Sequence, residues 1–229
     1  MFKHLNISDI FFDLDHTLWD FEKNSALAFY KVFEVHKITI DIPLFLQIYE
    51  PVNMHYWKLY REEQITKQQL RRGRLNDTFS KMGLTFSIEI IDNLAEAYIE
   101  YLPLNNHLFP GTLELLDYLK PAYKLHIITN GFEEVQTRKL RNSNIEGYFQ
   151  TITNSERVGV KKPNPIIFQY ALKLANSTPD KSVMIGDNIE ADILGAKGVG
   201  MHTLLFSENQ KSENGLVVVN HLLDVKNFF

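Results

Sequence analysis

Three short apolar runs in this chain each break off into polar residues, and no other feature limits the fold as much. Ile10-Phe11-Phe12 leads into Asp13-Leu14-Asp15, Leu125-His126-Ile127-Ile128 into Thr129-Asn130-Gly131, and Val183-Met184-Ile185 into Gly186-Asp187. Runs this short and this apolar read as buried strands. Helical patterns separate them, which describes an open α/β sheet, and in such sheets ligands bind outside the carboxyl ends of the strands. Asp, Thr and Asp delivered to one rim make that rim the candidate site.

The first run constrains the chemistry. Residues i and i+2 of a strand point the same way, so Asp13 and Asp15 start on one face where the strand gives way to a loop. Two like charges that close are unfavourable unless a cation or a shared proton relieves them. A divalent metal with hard oxygen ligands does this, and so does a division of labour between nucleophile and acid. Between the second and third strands lies Gly159-Val160-Lys161-Lys162-Pro163-Asn164-Pro165. Asn164 suits a helix cap and Pro165 the first helical turn. Phe168, Ala171, Leu172 and Ala175 follow at helical spacing. A lysine just before this helix reaches the same rim, and of the two, Lys162 beside the proline is the choice.

These four segments resemble the haloacid dehalogenase-superfamily phosphatases, over nearly the whole chain. The pattern of that superfamily stands here as Asp13-Leu14-Asp15-His16-Thr17, Thr129, Lys162-Pro163, and Gly186-Asp187 through Asp192. The resemblance implies a doubly wound parallel-sheet (Rossmann-like) α/β core with an inserted α-helical cap. It implies that Asp13 is the nucleophile of a phospho-aspartyl intermediate and that Asp15 is the general acid and then base. Thr129, Lys162 and the backbone around Asn130 and Gly131 would hold the phosphoryl oxygens. A magnesium ion would take the Asp13 side chain, the Asp15 main-chain carbonyl and the Asp187 side chain. Thr17, Asn188 and Asp192 would stand behind these, Thr17 steadying the loop and Asn188 either near the metal or capping a helix. Phosphoryl transfer asks for such groups, because it is mostly positioning and charge neutralisation. Dehalogenases of the superfamily lack an acid at the Asp15 position, since a halide leaves without a proton, so phosphate monoesters are the expected substrates.

The 229 residues suffice for one or two domains with a sizeable core. A net charge of −4 gives no field that favours a nucleic-acid polymer. With no cysteine, disulfides and thiolate mechanisms are excluded. There is no signal-peptide pattern and no apolar stretch of membrane-spanning length, so a cytoplasmic protein is expected. The eight histidines have no metal-binding spacing. His126 reads as a hydrogen-bonded core residue, and His16 as a residue facing the substrate entrance.

The interval from Asp13 to Thr129 is too long for a simple crossover. It reads as four helices near 22–36, 43–61, 66–82 and 87–101, with Thr66-Lys67-Gln68-Gln69 spaced as a capping box. Ile90, Ile91, Leu94, Tyr98 and Ile99 form an apolar stripe in the last of these. The expected division is therefore a catalytic core of residues 1–19 and 101–229 and a helical cap of residues 20–100. Two further strands are expected near His202–Phe206 and Leu216–Val219.

Substrate identity is expected in the cap. Phe45, Tyr49, Tyr56, Trp57 and Tyr60 make it aromatic, and Arg71, Arg72 and Arg74 make the end of that stretch basic. One reading makes the aromatics the cap's core and the arginines a solvated face. The other is a slot that stacks a planar base, worth about 1–3 kcal/mol. The stretch Val52-Asn53, Trp57, Tyr60, Ile65-Thr66 and Gly73-Arg74, with Ile127 to Phe132 downstream, resembles the bacterial pyrimidine 5′-nucleotidase branch. That implies a pyrimidine nucleoside monophosphate as substrate, with Asn53, Trp57 and Arg74 as contacts. A sugar-phosphate or phosphoglycolate phosphatase, or a phosphomutase, would share every catalytic residue named. A non-enzymatic nucleotide-binding module is the alternative from another class.

Overall fold

The computed structural model describes residues 2–212 and 215–229. Met1, Glu213 and Asn214, which fall within the expected core segments, lie outside the described residues. The first elements in chain order are β1 (Asp9–Phe12), α1 (Phe21–His36), α2 (Ile42–Arg61), α3 (Lys67–Lys81), α4 (Ile88–Tyr101) and α5 (Thr112–Leu119). There follow β2 (Lys124–Thr129), α6 (Glu133–Asn142), β3 (Phe149–Asn154), α7 (Ser155–Val158) and α8 (Pro165–Ala175). The chain ends with β4 (Ser182–Gly186), α9 (Gly195–Gly198), β5 (His202–Phe206) and β6 (Val218–Val219). Its contacts divide it into two compact units, Met1–Phe21 with Asn106–Phe229, and Glu22–Asn105.

The first unit is built on a six-stranded parallel sheet in the order β3-β2-β1-β4-β5-β6. Strand order reverses at β1, whose Phe12 is level with Ile127 of β2 and Ile185 of β4. The crevice of such a sheet opens beyond this point. All four residues of β1 are buried, as expected of a central parallel strand. Phe11, Ile128 and Met184 pack with Ile167, Phe168, Ala171, Leu172 and Ala175 of α8. Burying a Phe or Leu contributes about 1.5–3 kcal/mol, so this layer fixes α8, and the loop before it, against the sheet. Asn164 caps α8 by accepting the Ile166 N–H at 3.0 Å, and Pro165 occupies its first turn, as the sequence predicts. The tail supplies β5 where expected, whereas β6 is confined to Val218–Val219 of the stretch from Leu216.

At the opposite, amino-terminal end of the strands lies a buried polar network. Asp9 is 2% exposed and His126 is fully buried. His126 pairs through Nε2 with Asp9 Oδ1 at 3.0 Å and through Nδ1 with Thr151 Oγ1 at 2.8 Å. Ser177 donates to Asp9 Oδ2 at 2.7 Å, and the His126 ring stacks on Phe11. His126 is thus the hydrogen-bonded core residue the sequence predicts.

The second unit is the helical one. Its four helices match the expected segments to within a residue or so at each end. Thr66 Oγ1 accepts the Gln69 N–H at 3.2 Å while Gln69 Oε1 accepts the Thr66 N–H at 2.8 Å, the reciprocal capping box. Phe29, Phe33, Phe45, Tyr49, Phe79 and Tyr98 form a continuous ring cluster. Ile91, Leu94 and Tyr98 of the apolar stripe are buried in this unit, but Ile90 is exposed. Gly73 in the middle of α3 sacrifices about 1 kcal/mol of helix propensity relative to Ala. The Tyr56 ring lies where its Cβ would be, and the Tyr56 hydroxyl donates to Asp77 at 2.7 Å.

Burial holds the His126 imidazole below its ordinary value of 6.5, although Asp9 opposes the shift. The unfolded state therefore takes up the proton first, and stability contributed by neutral His126 is full above about pH 6.5 and lost below it. The stability gap between the wild type and His126→Gln should narrow as the pH falls from about 7 to 5 in denaturant titrations. A gap that widens over this range would contradict the neutral assignment.

Candidate active site

The loop after β1 continues the sheet by one bond, Asp13 N–H donating to Ile185 O at 2.9 Å. It then turns back on itself. Leu18 and Trp19 both donate to Leu14 O, and His16 adopts a left-handed conformation with φ 60°. The His16 ring packs on Phe21 at 4.9 Å. Thr17 is fully buried, with its hydroxyl 3.4 Å from Asp187 Oδ1, so it ties this loop to the end of β4.

Two clusters result. In the first, Lys162 is 2% exposed and donates to Asp13 Oδ1 at 2.6 Å and to Ile128 O at 2.8 Å. Its ammonium also lies 2.6 Å from Asp192 Oδ1, an ion pair whose angle departs from hydrogen-bond geometry. Asp192 Oδ2 accepts the Asn188 N–H at 3.0 Å, so both Asp192 oxygens are engaged. Gly186 is a glycine because the Asp192 carboxylate fills the place of a Cβ. Asn188 caps the following turn by accepting the Ala191 N–H at 2.9 Å.

Lys162 is itself held by Asn130. The Asn130 amide donates to Lys162 O at 3.0 Å and accepts the Lys162 N–H at 2.8 Å. The Asn130 side chain thus clamps the lysine loop through both its donor and its acceptor. Gly131 O in turn accepts the Asn154 side-chain amide at 2.7 Å.

In the second cluster, Asp15 receives Lys139 Nζ on Oδ1 at 2.5 Å and Gln136 Nε2 on Oδ2 at 2.9 Å. The Lys139 ammonium lies 4.0 Å from the centre of the Trp19 ring. Gln136 Nε2 also donates to Thr129 Oγ1 at 2.7 Å. Sequence reasoning misses both α6 residues. The available signal is that Gln136 and Lys139 alternate with Val135 and Leu140 on one buried helix face, where polar side chains need a partner.

Electrostatics separates the acids. Burial pushes Asp13 well above its ordinary 3.8; Lys162 opposes the shift, while Asp192 and Asp187 add to it. Burial also pushes Asp187 up to about 7, with Asp192 adding. Burial works to lower the Lys162 value, but Asp13 and Asp192 outweigh it and the net shift is upward. Carboxylate oxygens of Asp13, Asp187 and Asp192 all approach within 4.8 Å of one another. Such a donor set, hard and short of positive charge, fits a divalent cation. Of these three acids, Asp192 is engaged by both Lys162 and Asn188 and Asp13 by Lys162.

A family profile described as haloacid dehalogenase-like hydrolase matches residues 9–200. The chain belongs to that family. This hydrolase is 34% identical to the pyrimidine 5′-nucleotidase YjjG of Escherichia coli over 89% of its own length and 88% of the relative's. It is 31% identical to the pyrimidine 5′-nucleotidase PynA of Streptococcus pneumoniae, over 86% and 83% of the two chains. Among solved structures, the magnesium-bound HAD-hydrolase YfnB of Bacillus subtilis superposes with a TM-score of 0.87 at 25% identity, covering 97% and 98% of the chains.

The remaining expected contacts belong to the helical unit of the hydrolase. Asn53 and Arg74 are buried there, and Arg74 donates to Asn53 Oδ1 at 3.0 Å. The Arg74 guanidinium lies 4.9 Å from the Tyr98 ring centre, so it is neither a solvated nor a surface group. Arg72 instead forms a two-pronged pair with Asp92. Trp57 is half-buried beside Tyr60. Among the described residues no helix is long and apolar enough to cross a membrane.

Removing one partner from a buried ion pair costs about 3–5 kcal/mol, because the other charge is stranded. Lys162→Met should therefore lose about 3 kcal/mol of unfolding free energy in denaturant titrations, as well as activity. A loss under about 1 kcal/mol would show that the acids do not depend on this ammonium.

Proposed function

We propose that this hydrolase cleaves phosphate from pyrimidine nucleoside 5′-monophosphates through a phospho-aspartyl intermediate on Asp13. The observation that carries the mechanism is the contrast between two carboxylates two residues apart. Asp13 shares Lys162 with a second acid, Asp192, whereas Asp15 is held by Lys139 and the neutral amide of Gln136. Carboxylates in such different surroundings suit different roles. The names of the two nucleotidase relatives support the substrate class.

In the first displacement an Asp13 oxygen attacks phosphorus and the ester P–O bond breaks. Protonated Asp15 gives its proton to the departing oxygen, so the nucleoside leaves as an alcohol. In the second, Asp15 takes a proton from water, whose oxygen attacks phosphorus, and phosphate departs as Asp13 is regenerated. Splitting the hydrolysis this way replaces one difficult step by two easier ones. Lys162 and the Thr129 hydroxyl would face the charge that spreads over the phosphoryl oxygens, and the Gly131 N–H acts through Thr129, whose oxygen it holds. Asp13, Asp187 and the Asp15 carbonyl would hold magnesium, which supplies further neutralisation of that charge. Of the three residues assigned to the base, Asn53 and Arg74 are engaged with each other and Trp57 packs beside Tyr60.

Phosphate release with magnesium across nucleoside monophosphates, sugar phosphates and phosphoglycolate should favour dUMP, dTMP or UMP, and Asp13→Asn should abolish it. Preference for a sugar phosphate would overturn the substrate class; a fully active Asp13→Asn would overturn the mechanism. Saturating magnesium should raise the melting temperature of the wild type, and Asp187→Asn should remove most of that rise. An undiminished rise in the variant would place the metal elsewhere.

A further inference from the structure

The Gln136 side chain touches both the acid–base carboxylate and the phosphate-binding hydroxyl. Its amide nitrogen has two protons. One goes to Asp15 Oδ2 at 2.9 Å and the other to Thr129 Oγ1 at 2.7 Å. The amide nitrogen, and not its oxygen, faces both groups. Gln136 is 2% exposed, and Gly131 has no side chain because the Gln136 amide occupies that space.

The consequence for Thr129 follows from counting. Its hydroxyl oxygen accepts from Gln136 Nε2 and also from the Gly131 N–H at 3.1 Å. Both lone pairs are then used, and the single hydroxyl proton can only be donated. It is left for a phosphoryl oxygen. The same amide draws Asp15 towards α6, where Lys139 holds the other oxygen at 2.5 Å. Gln136 Oε1, meanwhile, is buried and accepts no hydrogen bond. An unsatisfied buried acceptor costs on the order of 1–3 kcal/mol, which offsets part of what the two bonds of the amide nitrogen contribute.

We propose that Gln136 is a positioning residue, whose amide sets the Asp15 carboxylate and the Thr129 hydroxyl at once for the reaction. This rests on the phosphatase reading above. Gln136 does not itself take a proton in either displacement. It acts through Asp15, which matters most when the leaving oxygen needs a proton, and through Thr129, which matters for any phosphate.

The test compares Gln136→Met, close in size but without the amide, on UMP and on p-nitrophenyl phosphate, with inhibition by inorganic phosphate as a third readout. General acid catalysis contributes 10²–10⁴-fold, so kcat for UMP should fall at least about tenfold further than kcat for p-nitrophenyl phosphate, whose leaving group needs little protonation. Inhibition by phosphate should weaken in the same variant. Gln136→Leu also lacks the amide and adds no charge; it should show the same substrate-dependent loss, and serves if the methionine variant does not fold. Equal losses on both substrates with unchanged phosphate inhibition, or wild-type rates in a folded variant, would overturn the proposal. If the wild type releases phosphate and Asp13→Asn does not, that failure is confined to Gln136. If the wild type releases none, the phosphatase reading falls and the proposal falls with it.

Discussion

Lys162 carries an ammonium into a place with almost no water and three oxygen atoms around it. Asp13, Asp192 and the carbonyl of Ile128 converge on it. Without that charge, two buried carboxylates would face each other at the end of β4 and β1, and burial alone would favour their neutral forms. The strand ends, the Asn130 clamp and the glycine at 186 can all be understood as what is needed to bring one cation there. The α8 layer supports it from below, because Ile167, Phe168 and Ala171 fix the helix whose preceding loop carries the lysine.

A parallel sheet makes this arrangement economical. Strands β1, β2 and β4 are neighbours, so residues that follow each of them emerge side by side though far apart in sequence. Asp13, Thr129 and Asp187 are brought together by register, and the loops need only local bonds to orient them. The acid at position 15 is different. It leaves the strand direction on a turn held by Leu14, His16 and Trp19, and is captured by α6. Nucleophile and acid are thereby given separate supports.

Much of the core was legible in the sequence, for a physical reason. Apolar runs must be buried, and polar groups at their ends must gather at one rim, so Asp13, Thr129, Lys162 and Asp187 could be placed before any coordinates. The helix boundaries were legible where caps were strong, as at Thr66 and Asn164. Side chains whose partners lie far along the chain were not. Gln136 and Lys139 read as ordinary polar helix residues until the strand they face is known. Arg74 reads either as part of a solvated face or as a substrate contact, yet it is enclosed by Tyr98, Tyr49 and Asn53, since a guanidinium can trade water for aromatic faces and one amide oxygen. The Asp9–His126–Thr151 chain was legible only in part, through a histidine inside an apolar strand.

The account stands or falls on whether Asp13 takes up the phosphoryl group. The most direct measurement is the stereochemical course of hydrolysis, using a nucleoside 5′-phosphorothioate whose phosphorus is made chiral with two oxygen isotopes, hydrolysed in water that carries the third. Each in-line displacement inverts phosphorus, so two in succession through Asp13 predict net retention. Net inversion would mean that water attacks the substrate directly, and would contradict the role assigned to Asp13.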